Sequence, residues 1–279
     1  MNARLHRGTF ARLLSAWVCV LGGAQALAAP EPVKKEIAAR LERQYPDLKG
    51  ADYALGSAAF DTELRAALEE HANAAAESID AGRALWNAKF RDAKSLASCF
   101  PNGGRRIAQN YPQYDAGLKR VVTIAMAVNQ CLKVHKQPLY DPADPATMGA
   151  IVAYVRSLAL GQRIAVRVPA AAEEKFEQGR RLYFTRLGQR NFACASCHLQ
   201  SAGKRYGDVA LSAPIGQATH WPEIRGAKPV MLQARMRECL ELMGAAPFPV
   251  GSEELNQIEF FLTYLSNGQP LKAGAWRPG

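Results

Sequence analysis

Apolar residues recur mostly at helical spacing along this chain. In the segment 146–160, one face of a predicted helix carries the apolar residues Ile151, Tyr154, Val155 and Leu158. The same periodicity predicts helices over 33–45, 62–86 with a break near 78–82, 121–134, 170–187, 228–243 and 252–266. Alternating runs of β-branched residues, the pattern of half-buried strands, are nearly absent. The pattern therefore predicts a mostly α fold.

The first 28 residues have the pattern of a secretory signal peptide. Three arginines precede an apolar run from Leu13 to Leu21, and the small-residue stretch GAQALAA follows, with cleavage expected after Ala26 or Ala28. The run is too short to span a bilayer, and no other segment of the chain is long enough. Cys19 lies in the run and leaves with the signal peptide. These features predict an exported protein of a bacterial periplasm, without a membrane span.

The chain is basic, with a formal net charge of +10. Removing the three arginines of the signal peptide lowers it to about +7. Nucleic acid is not expected as a partner of an exported protein. The charge suits a small anionic substrate or an acidic partner surface, and it is also the ordinary property of a solvated surface.

Residues 191–200 read NFACASCHLQ, in which Cys194, Cys197 and His198 form a Cys-x-x-Cys-His motif. This spacing is typical of covalent attachment of a c-type haem, because two thiols form thioethers with the haem and the adjacent imidazole reaches the iron. The alternatives are half of a zinc site or a dithiol redox pair, and neither requires the adjacent histidine. The motif predicts one covalently bound haem c.

The two halves of the chain share an internal pattern. Residues 82–86 read Gly-x-x-Leu-Trp and precede LASCF at 96–100, and residues 179–183 read Gly-x-x-Leu-Tyr and precede CASCH at 194–198. A chain of 279 residues can hold two ordinary cores. We predict two cytochrome c-like domains in tandem, a haem-less domain over 29–165 and a haem-binding domain over 166–279.

The first half lacks the residues that hold a haem. Leu96 replaces the first motif cysteine, and Phe100 replaces the histidine. Cys99 and Cys131 remain, and in an oxidising compartment we expect them to form a disulfide. The alternative is a pair of unpaired buried thiols.

Cys239 is the one cysteine without an assigned role. It belongs to a helical stripe formed by Leu232, Met236, Cys239 and Met243. One interpretation of the stripe is ordinary core, with Cys239 as a small apolar residue. Alternatively, it faces the haem and Cys239 supplies sulfur to the iron. Arg235 shares a face with Cys239 at i and i+4, where a guanidinium favours a thiolate and attracts an oxyanion, although many arginines are simply solvated.

Other residues compete for the second iron position. A ligand chosen from Met231, Met236 and Met243 would make an ordinary electron carrier. His220 is a further candidate, or a loop histidine packed beside Trp221. His71 and His135 belong to the haem-less half and are predicted to be surface residues. Side chains that could border the haem propionates are Lys204, Arg205 and Asp208.

The sequence resembles the SoxA family of sulfur-oxidising bacteria. The resemblance rests on CASCH, on the arginine-rich segment before Cys239, and on GSEELNQIEFFLTYLSNGQ at 251–269. The degenerate first site resembles the mono-haem members. This resemblance implies an L-cysteine S-thiosulfotransferase, which joins thiosulfate oxidatively to a cysteine of a SoxY/SoxZ carrier and passes two electrons to c-type cytochromes. It also implies a small cytochrome partner, SoxX.

The resemblance assigns roles to individual residues. His198 matches the proximal iron ligand, Cys239 the distal ligand and active-site cysteine, which can carry an extra sulfur as a persulfide, and Arg235 the active-site arginine. One departure is the apolar Leu240 after Cys239, where a polar segment beginning with Asn is expected. The rival interpretations are a non-catalytic electron-transfer cytochrome and a thiosulfate dehydrogenase forming tetrathionate, an enzyme that usually keeps two haem motifs.

Overall fold

Helices dominate the fold, as the spacing of apolar residues predicts. The computed structural model describes residues 29–278, so the predicted signal peptide lies outside the described residues. The helices are α1 (Pro30–Gln44), α2 (Thr62–Glu70), α3 (Ala76–Asn87), α4 (Ile124–Val134), α5 (Ala150–Ser157), α6 (Glu173–Phe184), α7 (Leu232–Leu242) and α8 (Glu253–Leu265). The short strands are β1 (Gln113–Asp115), β2 (Arg120–Val122), β3 (Arg205–Tyr206), β4 (Val209–Ala210), β5 (Glu223–Arg225), β6 (Lys228–Val230) and β7 (Ala275–Arg277). Within residues 29–278, no helix is long and apolar enough to cross a membrane.

Each half is built on a pair of helices that approach closely at a glycine. Helix α3 packs on α5 in the first half, and α6 packs on α8 in the second. A Cβ atom on Gly82 of α3 would lie 2.0 Å from the carbonyl oxygen of Ala150. A Cβ atom on Gly179 of α6 would lie 2.1 Å from the carbonyl oxygen of Gln257. The two glycines that reveal the repeat in the sequence are therefore the points where the helix backbones touch.

A second repeated unit is a hairpin followed by a helix that carries a cysteine. Strands β1 and β2 pair antiparallel before α4, and β5 and β6 pair antiparallel before α7. A cis peptide bond to proline precedes each hairpin. Cys131 and Cys239 are both the eighth residue of an 11-residue helix. The two cysteines thus occupy the same place in the two halves.

Three predicted helices differ from the structure. Residues 121–122, predicted as the start of the helix 121–134, belong to β2 because they pair with β1. The break in 62–86 was expected near 78–82, but it lies at residues 71–75, between α2 and α3. That prediction was wrong because Gly82 serves a close helix contact rather than a helix end. Residues 228–230 were predicted as the start of a helix, and they form β6 because they pair with β5. Such pairing is a tertiary contact that helical periodicity does not report.

Apolar and aromatic side chains fill the core of the first half around Trp86. Trp86 is 1% exposed, its ring centroid lies 4.8 Å from that of Phe100, and its Nε1 donates to the carbonyl of Gly103 at 2.9 Å. Leu96 is fully buried. The predicted disulfide is present and joins Cys99 to Cys131, with 5.9 Å between their Cα atoms. Aromatic packing and the disulfide therefore hold the core of this half together.

The N-terminal segment packs against the second half, although it precedes the first. Thr219 donates to the carbonyl of Ala54 at 2.8 Å, and Arg205 pairs with Asp61 at 3.0 Å. Tyr45 donates to the carbonyl of Ala202. Residues 30–61 therefore form part of the surroundings of the second half. The division at 165/166 stays a prediction.

A buried arginine ties α5 of the first half to the second half. Arg156 donates from Nε to the carbonyl of Lys272 at 2.9 Å and from Nη2 to the carbonyls of Ala218 and Thr219. Burial lowers the pKa of Arg156 to about 10, so the guanidinium remains charged at neutral pH. Its charge is solvated by backbone carbonyls in place of water.

Candidate functional site

A cavity of about 660 Å³ lies in the second half, bordered by α6, the Cys-x-x-Cys-His segment, α7 and α8. This volume falls within the roughly 300–1,000 Å³ of pockets that enclose small molecules. Cys194, Cys197 and His198 line it from one segment, and Cys239 lines it from α7. These three cysteines are the free thiols of residues 29–278. The structure therefore brings the three thiols and the imidazole of His198 to one cavity.

A tight turn holds the motif at the cavity wall. The hydroxyl of Ser196 accepts a hydrogen bond from the backbone N–H of Ala193 at 3.1 Å. A short helical turn, Ser196–Gln200, follows, and its Leu199 is buried in the core. This anchoring fixes the two thiols and the imidazole on one short stretch of rigid backbone.

The imidazole of His198 is oriented by the loop that follows. Its Nδ1 lies 3.0 Å from the carbonyl oxygen of Ser212, so Nδ1–H donates to that carbonyl and Nε2 is left as the free lone-pair nitrogen. Burial lowers the pKa of His198 to about 4, with a smaller contribution from the charge of Arg235. The ring is therefore neutral at physiological pH, which is the form that binds a metal.

The thiols of the cavity differ in their electrostatic surroundings. Burial raises the pKa of Cys194 to about 12 and also raises that of Cys197. Burial likewise raises the pKa of Cys239, but the positive charge of Arg235 opposes this increase. Cys239 is therefore distinguished from Cys194 and Cys197 by a guanidinium that favours its thiolate.

Helix α7 presents its predicted stripe to the cavity. The lining residues from this helix and its C-terminal end include Leu232, Arg235, Met236, Cys239 and Met243. The i to i+4 spacing places the guanidinium of Arg235 one turn from the sulfur of Cys239. Arg237 does not line the cavity, and its Nη2 lies 3.8 Å from Glu241. The helix thus separates a cavity-facing arginine from a peripheral one.

The residues around the cavity fit a covalently attached haem. Cys194 and Cys197 supply two thiols at one border, and His198 supplies a neutral imidazole with a free Nε2. Two buried polar atoms of the lining, Tyr183 Oη and Gln217 Oε1, have no hydrogen-bond partner among the described residues. Buried polar atoms rarely remain unpaired, so a polar group inside the cavity accounts for them. The donor set and these orphaned atoms agree with the haem that the motif predicts.

Comparison with known proteins decides the family. The SoxA/TsdA cytochrome c domain matches residues 81–164 and 178–271, which together are more than half of the chain. The chain belongs to the SoxA/TsdA cytochrome c domain family. The two matched stretches correspond to the two halves described above.

Several curated relatives of this SoxA/TsdA chain are named L-cysteine S-thiosulfotransferase subunit SoxA. The Chlorobaculum tepidum protein is 35% identical over 84% of this chain and 83% of its own length. The Allochromatium vinosum protein is 34% identical over 95% of this chain and 96% of its own length. A chain in the crystal structure of SoxXA from P. pantotrophus has the same fold, with a TM-score of 0.68, 24% identity, and coverage of 74% of this chain and 79% of that one.

A network of ion pairs, which the sequence did not predict, lies beside the cavity of this SoxA/TsdA protein. Arg235 and Arg225 both donate to Oε2 of Glu238 at 2.9 Å. Arg225 also pairs with Glu223 at 2.7 Å, and Arg277 pairs with Glu223 at 3.3 Å. Three guanidiniums thus share two carboxylates, which leaves one net positive charge in this network of ion pairs. That surplus favours an anionic ligand.

Only tertiary pairing brings these groups together. Arg225 and Arg277 are register partners in the parallel pair of β5 and β7, although 52 positions separate them. Burial by itself would raise the pKa of Glu223, but hydrogen bonds and charges from His220, Arg277 and Arg225 lower it to about 2. Glu223 therefore remains ionised and anchors the arginines. The sequence alone did not indicate a role for Arg277, because this residue lies outside every recognised motif.

The remaining candidate ligands have different surroundings. His220 is 4% exposed, stacks on Trp221 with 5.4 Å between ring centroids, and contacts Thr219 and Glu223 through its two nitrogens. It lines the cavity, but both of its ring nitrogens already contact side chains of this protein. Met236 and Met243 line the cavity and Met231 does not. Of the three predicted propionate-edge residues, Lys204 and Arg205 line the cavity and Asp208 does not.

Proposed function

We propose that this chain is the SoxA subunit of an L-cysteine S-thiosulfotransferase. It would join thiosulfate oxidatively to a cysteine of a SoxY/SoxZ-like carrier protein and pass electrons to c-type cytochromes. The observation that carries this proposal is the position of Cys239, which shares one cavity with the Cys-x-x-Cys-His motif and lies one helical turn from Arg235. The names of the curated relatives point to the same activity.

The proposed cofactor is one covalently bound haem c. Cys194 and Cys197 would form the thioethers, His198 would bind the iron through Nε2, and Cys239 would supply the second ligand from α7. When bound, the haem supplies a route for electrons out of the cavity. The hydrogen bond from His198 to the carbonyl of Ser212 supports this role, because it fixes the tautomer that leaves Nε2 free.

Cys239 would be the reacting residue. Its thiolate forms a bond to the outer sulfur of thiosulfate, and two electrons leave the pair to c-type cytochromes, which gives a cysteine S-thiosulfonate. A carrier thiolate then attacks the outer sulfur, takes the thiosulfate group, and returns Cys239 as a thiolate. Arg235 supports both steps, because its charge favours the thiolate and attracts the sulfonate oxygens. The same cysteine could hold an extra sulfur as a persulfide.

The proposal includes partners and a compartment. A small SoxX-like cytochrome c would form a heterodimer with this chain, and the structural relative, which was crystallised as SoxXA, supports that assembly. The predicted signal peptide, residues 1–28, supports export to the periplasm. We also propose the division into a haem-less domain over 29–165 and a haem-binding domain over 166–279. The closed core around Trp86 and the cavity beside Tyr183 support that division.

A non-catalytic electron-transfer cytochrome is the second candidate. Met236 and Met243 line the same cavity and could bind the iron in place of Cys239. A far-red charge-transfer band in the oxidised protein would indicate methionine ligation. A thiosulfate dehydrogenase would form tetrathionate without a carrier protein. Measuring tetrathionate and thiosulfate-modified carrier, with and without the carrier protein, separates the two activities.

The decisive experiment removes the sulfur of Cys239. We expect Cys239→Ala to abolish transfer of thiosulfate to the carrier while intact mass still shows one haem. Arg235→Ala should lower the transfer rate by about a hundredfold, the usual effect of losing one charge-stabilising donor. Arg237→Ala is the matched control, because this arginine lies on the same helix outside the cavity lining, and it should retain the wild-type rate. Full activity of Cys239→Ala would overturn the proposal.

A further inference from the structure

A second group of reactive side chains lies in the first half, outside the haem cavity. The sulfurs of Cys99 and Cys131 and a ring nitrogen of His135 all lie within 4.8 Å of one another. The two sulfurs are joined as a disulfide, so neither offers a thiolate to a metal ion. The chemistry open to this cluster is therefore that of a disulfide beside an imidazole.

The two cysteines differ in exposure. Cys99 is exposed, on the turn Leu96–Cys99, whereas Cys131 is 5% exposed within α4. An incoming nucleophile therefore meets Cys99 first. Attack on a disulfide proceeds in line along the sulfur–sulfur bond, and the sulfur that is not attacked is the leaving group. The geometry makes Cys131 the leaving sulfur.

His135 is held beside that leaving sulfur. It follows α4 as its C-cap, one turn after Cys131, where the negative end of the helix dipole favours a cation. Its Nδ1 lies 2.6 Å from Oδ2 of Asp92, and its ring packs against Phe90 with 5.2 Å between centroids. The hydrogen bond from His135 lowers the pKa of Asp92, so this carboxylate stays ionised and orients the imidazole. A carboxylate, an imidazole and the disulfide therefore lie next to one another.

We propose that Cys99–Cys131 is a thiol-exchange site that accepts small external thiolates at Cys99. The thiolate forms a new sulfur–sulfur bond to Cys99, and the bond between Cys99 and Cys131 breaks. Its electron pair leaves on Cys131, beside the His135 ring, and a proton taken up by that ring would stabilise the new thiolate. This step is an exchange without net oxidation. A second external thiolate would complete a two-electron reduction by releasing a disulfide of the external thiol.

Trapping the mixed disulfide tests the site. The native holoprotein is incubated with reduced glutathione, quenched with N-ethylmaleimide, and digested for peptide mass analysis. We expect glutathione on Cys99 and the alkyl group on Cys131. The opening rate should exceed the rate of global unfolding, measured separately by dilution into denaturant. Glutathione on Cys131, or opening only as fast as the protein unfolds, would show a purely structural disulfide and overturn the proposal.

The role of His135 is tested with a matched pair of histidine variants. His135→Asn should slow the opening at least about fivefold, because the leaving thiolate loses the neighbouring imidazole. His71→Asn is the control, since His71 is exposed in the same half and stacks on Trp276 away from the disulfide. Asp92→Asn should slow the opening in the same direction as His135→Asn, which distinguishes catalysis from a folding defect that would accelerate opening. Equal rates in wild-type protein, His135→Asn and His71→Asn would refute the role of the imidazole.

Discussion

The two halves place the same chemical groups at the same positions and use them differently. Ser98 and Ser196 accept equivalent backbone hydrogen bonds, at 3.2 Å and 3.1 Å, in the turns that contain LASCF and CASCH. In the first half, Cys99 of LASCF forms a disulfide with Cys131 of α4. In the second half, the equivalent Cys197 and Cys239 of α7 are free thiols, and both line a cavity of about 660 Å³.

The comparison shows how little separates a closed core from a cofactor cavity. Leu96 takes the place of a motif cysteine and is fully buried, and Phe100 takes the place of the histidine and packs against Trp86. These side chains contribute to a close-packed core in the first half. The helix pairs and hairpins are unchanged. The framework therefore tolerates both outcomes, and a few side chains select between them.

The largest expected effect comes from removing the aromatic filling of the first half. Trp86→Ala should destabilise the protein by about 3–5 kcal/mol, because a fully buried indole leaves a cavity. The haem absorption should not change, since Trp86 lies in the other half. Denaturant unfolding followed by circular dichroism and by haem absorption measures both properties.

Tyr183, the counterpart of Trp86, provides the matched variant. Tyr183→Ala should alter the haem spectrum, because this side chain lines the cavity. An altered haem spectrum in Trp86→Ala would show that the two halves are not independent around the haem.

The close helix contacts should respond alike in both halves. Gly82→Ala and Gly179→Ala should each cost about 1–3 kcal/mol, because the new Cβ would meet a backbone carbonyl that cannot rotate away. Gly50→Ala is the control, since no atom lies within 4 Å of the position that its Cβ would take, and it should be neutral or slightly stabilising. Thermal unfolding compares the three variants. A large difference between Gly82→Ala and Gly179→Ala would contradict the structural equivalence of the two helix pairs.

The smallest expected effect concerns the ion pairs around Glu223 in the second half. The pKa of Glu223 is lowered to about 2 in the folded protein from an ordinary value of 4.5. Its stabilisation is therefore complete above pH 4.5 and is lost as the pH falls towards 2. Between pH 5.5 and 3.5, the free energy of unfolding should fall by about 1 kcal/mol more in the wild type than in Glu223→Gln.

An exposed glutamate serves as the control for this pH dependence. Glu69→Gln on α2 should follow the wild-type curve, because Glu69 is solvent-exposed. Parallel curves for the wild type and Glu223→Gln would show that Glu223 titrates as an ordinary carboxyl group. The arginines of the second half would then need another explanation for their arrangement.

Much of the architecture followed from the sequence because it depends on local chemistry. The predicted helix 252–266 is present as α8, and Ser252 caps it, with its hydroxyl accepting from the N–H of Leu255 at 3.3 Å. The helix boundaries at 78–82 and 228–231 were missed, because close backbone approach and strand pairing override helical periodicity. The contact of residues 30–61 with the second half also could not be predicted, because no local sequence pattern indicates it.

The motif CASCH, the surviving cysteines and the spacing of Cys239 from Arg235 are properties of the sequence by itself. They led to the prediction of a Cys99–Cys131 disulfide, because cysteines of an exported protein tend to pair, and to the choice of the α7 stripe, because helical geometry acts over short, countable distances. Only the tertiary structure decided which charges surround that stripe. Arg277 reaches Glu223 through the pairing of β5 with β7, and Coulomb interactions depend on distance in space rather than separation along the chain.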